Sequence, residues 1–393
     1  MSVSWWRRGG VARRESVDAV VVGGGVCGVS AALYLSERGL RAVCLERHAA
    51  GAGGAGASAR NAGYLMRGAA DNYAAAAAAW GRETARDVWR WSEENLAMLR
   101  ARGVGGVAGY RDAASVLLAV EDEEAGALER SAELMREDGF GVALVERGDD
   151  SAWRAGGGRL GLVNEGDAAV NPAAMMRWMV GGLAAGTLRE HAEVFGIERT
   201  GGGVVVRGAD GRGPFEMSAR AVFVCTNAWA SRLVPSVLIE PNRAQMLAAR
   251  VSTGVRLNAS YYVNHGHDYV RMPEPGLVVV GGRRHLHADD EQTESDGTSG
   301  ALQADLEAFL GRFCGERGEV VARWAGTMGL TPGGAAGGGL PVVEEVEPGV
   351  VVCAGFNGHG MSLAHRLSSL AVGAWLGEEE WPAALGRGEV AAR

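Results

Sequence analysis

The residues with the clearest chemical meaning are four glycines and an acid near the start of the chain. Gly23-Gly24-Gly25 and Gly28 spell G-x-G-x-x-G directly after the β-branched run Asp18 to Val22, which reads as a buried strand. Val29, Ala32, Leu33 and Leu35 follow at helical spacing until Gly39 supplies a C-cap. Leu40 to Leu45 is a second apolar strand, and it ends at Glu46. Each part has a mechanical job. Gly23 permits a tight turn, Gly25 lets the backbone approach a pyrophosphate, and Gly28 lets the helix lie close on the strand. The helix N-terminus offers unpaired N–H groups to phosphate oxygens, and Glu46 is placed to accept from a ribose hydroxyl. Strand, glycines, helix, second strand and terminal acid occur in register. This is a dinucleotide site.

With 393 residues, the chain can bury one large core or two interleaved ones. A net charge of −8 disfavours nucleic acid as a partner, because a basic surface is what neutralises phosphates. All basic residues are arginine; lysine is absent. Cys27, Cys44, Cys225, Cys314 and Cys353 are scattered through apolar runs and read as buried thiols, which with the absence of a signal-peptide pattern points to the cytoplasm. No apolar run is long enough to span a membrane.

Further along, Gly51 to Gly63 is a small-residue segment whose second half, Ser58-Ala59-Arg60-Asn61-Ala62-Gly63, suggests backbone pressed against a ligand. Helices are predicted over 82–101, around Leu128, Ala132 and Met135, and from Asn171-Pro172 to about Ala185. Short strands follow at Val194 to Ile197, Val204 to Val206 and Ala221 to Cys225, the last running into Thr226-Asn227-Ala228-Trp229. Residues 240–285 have β character, and Leu302, Leu306, Phe309 and Phe313 mark a helix. A strand at Val350 to Ala354 then meets Gly355-Phe356-Asn357-Gly358-His359-Gly360-Met361, a second glycine-rich loop opening a helix. His265, His267, His285 and His287 read as surface loop residues, with no acid or cysteine spaced to complete a metal set.

The assembly resembles the D-amino-acid-oxidase-like FAD oxidoreductases, which include glycine oxidase, sarcosine oxidase and γ-glutamylputrescine oxidoreductase. The resemblance rests on VVVGGGVCG…LE, GASARNAG, VFVCTNAWA, YVRMPEPGLVVVGGRR and WAGTMGLTP…LP…GFNGHGMSLA, in that order. SARNAG with GFNGHG leans toward the γ-glutamylputrescine branch. The implied fold is α/β (α+β overall). A Rossmann-type FAD-binding domain (17–95, 150–240 and 320–393) carries an interleaved antiparallel-sheet substrate domain (96–149 and 241–319), and 1–16 is a basic tail. The resemblance implies one noncovalent FAD. Gly23, Gly25 and Gly28 would face its pyrophosphate, and Glu46 and Arg47 the adenosine end. Ser58, Arg60, Asn61, Ala62 and Gly63 would lie along the flavin. Val194 would sit against adenine with Thr226, Asn227 and Trp229 nearby, and Gly358, His359, Gly360 and Met361 would face the flavin's pyrimidine edge.

The implied reaction oxidises a C–N bond of an amine or amino acid by hydride transfer to flavin N5, giving an imine. Oxygen or another electron acceptor would complete turnover. Tyr269 and Arg283 are the expected pocket residues and His359 the flavin tuner. The chain departs from the family pattern at three points, the first being that Trp324 to Leu330 lacks the cysteine that attaches FAD in sarcosine oxidases. Gly329-Leu330-Thr331-Pro332 has Thr331 where members oxidising free amino acids place a carboxylate-binding arginine, and the lysine that sarcosine oxidases use toward oxygen has no counterpart. A dehydrogenase of the same fold, using a non-oxygen acceptor or a hydroxy acid, and a flavin-binding module without turnover are the alternatives. A hydroxylase-type monooxygenase and a tRNA-modifying relative fit the late GFNGHG loop and the acidic charge less well.

Overall fold

The computed structural model describes residues 12–50, 56–69, 71–332 and 339–386. The first part of the basic tail and Gly51 to Ala55 of the small-residue segment therefore lie outside the described residues.

A six-stranded sheet forms the base, ordered Leu188–Arg189, Ala42–Leu45, Ala19–Val22, Ala221–Val224, Val350–Ala354 and Val342–Glu347. All its joins are parallel except the last. Parallel strands need covering on both faces, and the residues of Ala19–Val22 divide accordingly. Ala19 and Val21 enter a core packed by helices, whereas Val20 and Val22 enter a second core on the opposite face. That second face is covered by a four-stranded sheet of Arg13–Ser16, Gly213–Ala219, Gly203–Asp210 and Glu193–Thr200. The tail is thus shorter than the sequence suggests. Arg13–Ser16 pairs in parallel with Gly213–Ala219, and Arg13 and Glu15 form ion pairs with Asp210 and Arg189.

An eight-stranded sheet stands over the base, antiparallel except where Ser260–Val263 runs parallel to Ser115–Ala119. It contains two strands that the sequence places in the FAD-binding domain, Leu160–Asn164 and Glu319–Leu330. The second pairs with Glu240–Arg250 along its whole length, from Glu240↔Leu330 to Arg250↔Glu319. Its first half is largely solvent-exposed, so no clean alternation announces the strand. The helix Gly300–Cys314 backs this sheet through Leu302, Leu306, Phe309 and Phe313, all buried as their spacing predicts.

The helices Arg82–Ala101 and Asp122–Glu137 match their predicted places, and Pro172–Gly181 stops earlier than expected, at Gly182. The first helix, Val26–Glu37, packs on the terminal helix, Gly360–Trp375. His365 of the terminal helix is buried between the Ser30 hydroxyl at 2.8 Å and the Tyr34 hydroxyl at 2.7 Å. Burial pushes its pKa down from 6.5 to about 4. The unfolded chain therefore takes up the proton first as pH falls, and stability is lost from about 6.5 downward until the folded histidine titrates too. Between pH 7 and pH 5 this one group is expected to remove about 2 kcal/mol of stability. His365→Gln, which has no proton to gain there, should show a shallower decline in urea midpoint over the same interval.

Candidate cofactor and substrate site

A cavity of about 520 Å³ lies between the carboxyl ends of the parallel strands and the eight-stranded sheet. At one end the first strand turns at Gly23, whose φ is +104° and whose missing Cβ would lie 2.7 Å from the Cys225 carbonyl oxygen. A Cβ on Gly28 would lie 1.8 Å from the Gly23 carbonyl oxygen, so helix and turn meet backbone to backbone. Gly28 does not line the cavity; its part is packing, and Gly23 to Val26 form the surface. The Glu46 carboxylate accepts from the backbone N–H of Gly24 and of His48, each at 2.7 Å, tying the second strand end to the glycine turn. Arg47 stacks over Trp229 at 5.4 Å, and Val194, Thr226 and Asn227 complete this end.

The middle wall is the 56–62 loop. Ser58 Oγ accepts from the Val26 N–H at 3.1 Å, and a Cβ on Gly25 would sit 2.8 Å from that oxygen. Asn61 folds the loop on itself, donating to the carbonyls of Ala57 and Ser58 and accepting from the Gly63 N–H. Arg60 donates to the Ala325 carbonyl, and both Arg60 and Ala62 line the cavity. Gly63 does not; its φ of +77° and its contacts with Val170 and Arg271 make it a packing residue.

Gly358, His359, Gly360 and Met361 line the far end, where the terminal helix begins. Burial pushes the His359 pKa down from 6.5 to about 4, so the ring is neutral at physiological pH. Its Nε2 is buried without a partner among the described residues, and so is Thr226 Oγ1 at the nucleotide end. Buried polar atoms are normally paired, so two orphans in one cavity wall call for a polar ligand running along it.

A single row of residues crosses the overhead sheet, from Tyr262 through Tyr269, Gly281 and Met246 to Trp324. A Cβ on Gly281 would fall 2.3 Å from the Tyr269 ring and 2.4 Å from Met246 Sδ, so the gap in the row is filled by its neighbours. Tyr64 closes the group, 5.1 Å from Tyr262 and 6.2 Å from Tyr269 between ring centroids. Burial raises the pKa of all three phenols, that of Tyr269 to about 12, so they remain protonated.

Of the expected pocket residues, Tyr269 and His359 line the cavity and Arg283 does not. Arg283 has φ +62°, forms an ion pair with buried Asp268 at 3.3 Å and lies over Phe309. Its side chain is thus packed away from the cavity against Asp268 and Phe309, and Arg284 lines the cavity instead, where it donates to Asn242. Sequence reasoning also missed Tyr64, Tyr262, Met246 and His267. His267 and His285 are not simply surface residues, since their rings stack at 4.3 Å and His267 lines the cavity. Alternation carried a usable signal at Tyr261-Tyr262. Tyr261 faces the helix-backed core and Tyr262 the cavity, as period two requires. Among the described residues no cluster of histidine, cysteine or acid could hold a metal ion.

A family model described as "FAD dependent oxidoreductase", DAO, matches residues 18–373. The chain belongs to this family. It is similar to γ-glutamylputrescine oxidoreductase of Escherichia coli (strain K12), 25% identical over 384 residues, covering 90% of this chain and 82% of that protein. It is also similar to the probable oxidoreductase OrdL of Rhizobium meliloti (strain 1021), 23% identical over 390 residues with 91% and 82% covered. Glycine oxidase from Geobacillus kaustophilus shares the fold with a TM-score of 0.74, at 20% identity and 95% and 99% coverage. L-proline dehydrogenase from P. horikoshii does so with a TM-score of 0.74, at 17% identity and 95% and 96% coverage. The protein is an FAD-dependent oxidoreductase, and its orphaned polar atoms and side-chain-free glycine turn fit that cofactor.

The glycines separate by experiment. Gly28→Ala, which drives a Cβ into backbone, should leave purified protein with at most about a tenth of the flavin absorbance per chain. Gly25→Ala meets only the movable Ser58 hydroxyl and should weaken FAD binding less, by about tenfold or under in Kd.

Proposed function

We propose that this flavoenzyme oxidises the C–N bond of an amine or amino acid whose carboxylate is held by Arg284. The carrying observation is the charge pattern of the cavity wall. Among the described residues its only carboxylates are Glu46 and Glu193, and Glu193 stands 4.0 Å from Arg47 at the nucleotide end. The sheet side presents tyrosine rings, methionines and the Arg284 guanidinium. An ammonium ion placed there meets no carboxylate among the described lining residues of that side and lies near a positive charge, so its free-base form is favoured. That is the form with a nitrogen lone pair able to stabilise the carbon as hydride leaves. The bound flavin supplies the hydride acceptor.

The chain's own residues then have defined jobs. Arg284 fixes the carboxylate, and Tyr262, Tyr269 and Met246 shape an apolar roof that orients the C–H bond and excludes water. His359, neutral, offers a hydrogen bond from its ring and the N-terminus of its helix to the flavin. The relatives named for γ-glutamylputrescine and glycine support this reading of the substrate side. A non-oxygen acceptor is the second reading, favoured by the absence of any lysine to face the flavin.

Anaerobic bleaching of the flavin absorbance by a panel of amines, amino acids and hydroxy acids tests the reading. Carboxylate-bearing amines should reduce the flavin, and failure of every amine would overturn the assignment. Arg284→Met should weaken their apparent Kd by about tenfold or more while leaving simple amines nearly unaffected. Arg283→Met should leave substrate affinity alone. The bleaching rate at low substrate should rise with pH toward the amine's own pKa, about tenfold per unit, because only the free base is productive.

A further inference from the structure

Thr331 stands where the family resemblance calls for an arginine, yet its side chain does not reach the cavity. Its hydroxyl donates to the Leu340 carbonyl at 2.9 Å and accepts from Asn357 Nδ2 at 3.0 Å. Its backbone N–H donates to Asn357 Oδ1 at 2.8 Å. That N–H can only donate, so it fixes which amide atom is oxygen, and the two N–H groups of Nδ2 are shared among the Thr331 hydroxyl and the carbonyls of Gly339 and Gly355, at 2.5 and 2.8 Å from the carbonyl oxygens. Asn357 is 7% exposed and holds φ +51°, a conformation asparagine tolerates far better than most side chains.

The loop that opens the terminal helix thus hangs from a strand end. A second left-handed asparagine, Asn227 at φ +46°, steadies its start, its Oδ1 accepting from the N–H of Gly355 at 2.9 Å and of Phe356 at 3.3 Å. The Asn357 N–H donates to the Gly329 carbonyl at 3.1 Å. Between these anchors the backbone from Gly358 to Met361 faces the cavity.

We propose that Thr331 is a positioning residue for the flavin, acting through Asn357 to hold the Gly358–Met361 loop and the helix N-terminus at a fixed place. The proposal rests on the FAD cofactor and not on the substrate reading. Two-electron reduction adds negative charge to bound flavin, and a helix N-terminus stabilises that charge only within about its first turn. A loosened loop should therefore cost the reduced state more than the oxidised one. In this chain the position is given to loop geometry.

The test equilibrates FAD-loaded protein with a reference redox dye under anaerobic conditions, which needs no substrate. Thr331→Val removes the hydroxyl and keeps the N–H donor. It should move the two-electron equilibrium toward oxidised flavin by about tenfold, equal to about 30 mV. Asn357→Gly, which keeps the backbone conformation and deletes the clamp, should move it at least as far. Thr331→Ser should stay within about twofold of the parent. A Thr331→Val protein that retains FAD at the parent equilibrium overturns the proposal, as does a serine variant shifted as far as valine. An unmoved dye equilibrium with a changed substrate KM would place Thr331 in substrate binding instead. Parent protein lacking flavin would overturn the cofactor assignment itself.

Discussion

The structure depends on one close approach, the Gly28 backbone against the Gly23 carbonyl. No side chain fits between them, since a Cβ on Gly28 would stand 1.8 Å from that oxygen. This contact lets the first helix start directly above the strand end, so that Gly23 to Cys27 line the cavity. Ser58 and Glu46 then attach to the same turn, one through the Val26 N–H and the other through the Gly24 N–H. The 56–62 loop and the second strand are thereby referenced to one point. Buried Cys27, Cys225 and Cys353 pack beneath it in the helix-side core.

The rest of the molecule brings a second surface to face that point. The eight-stranded sheet puts Tyr262, Tyr269 and Met246 in one row, because a common register aligns residues across neighbouring strands. Gly281 belongs to this row as the space its neighbours lean into. Backbone strain gathers around the same cavity. Asn227 and Asn357 hold positive φ beneath the flavin loop, and Asn264, His265 and Arg283 do so in the two rim loops of the sheet. Such conformations persist where surrounding bonds over-determine them, as five polar contacts do at Asn357.

Charge separates the two halves of the cavity. Glu46, Glu193 and Arg47 line one end, Arg60 and Arg232 also reach the wall, and Arg284 is the charged group that the overhead sheet's side contributes. Burial keeps the tyrosines protonated and both His267 and His359 neutral. The sheet's wall of the cavity is therefore largely apolar apart from the Arg284 guanidinium.

The amino-acid sequence by itself determined the dinucleotide turn, the second strand ending at Glu46, the late GFNGHG loop and nearly every long helix. These depend on local rules: glycine where backbone is crowded, apolar spacing of 3.6 or 2, and caps such as Asn171-Pro172. The order of its motifs carried the family. Tertiary structure alone decided which of Arg283 and Arg284 enters the cavity, because Arg283 is packed away from it against Asp268 and Phe309. It also decided that Glu319–Leu330 completes the overhead sheet, since that strand is specified by its partner's register rather than by its own pattern. Thr331 is the clearest case. Its identity reads as a missing arginine, and only the fold shows the Leu340 carbonyl and the asparagine that its hydroxyl and N–H join, residues 9 and 26 positions away along the chain.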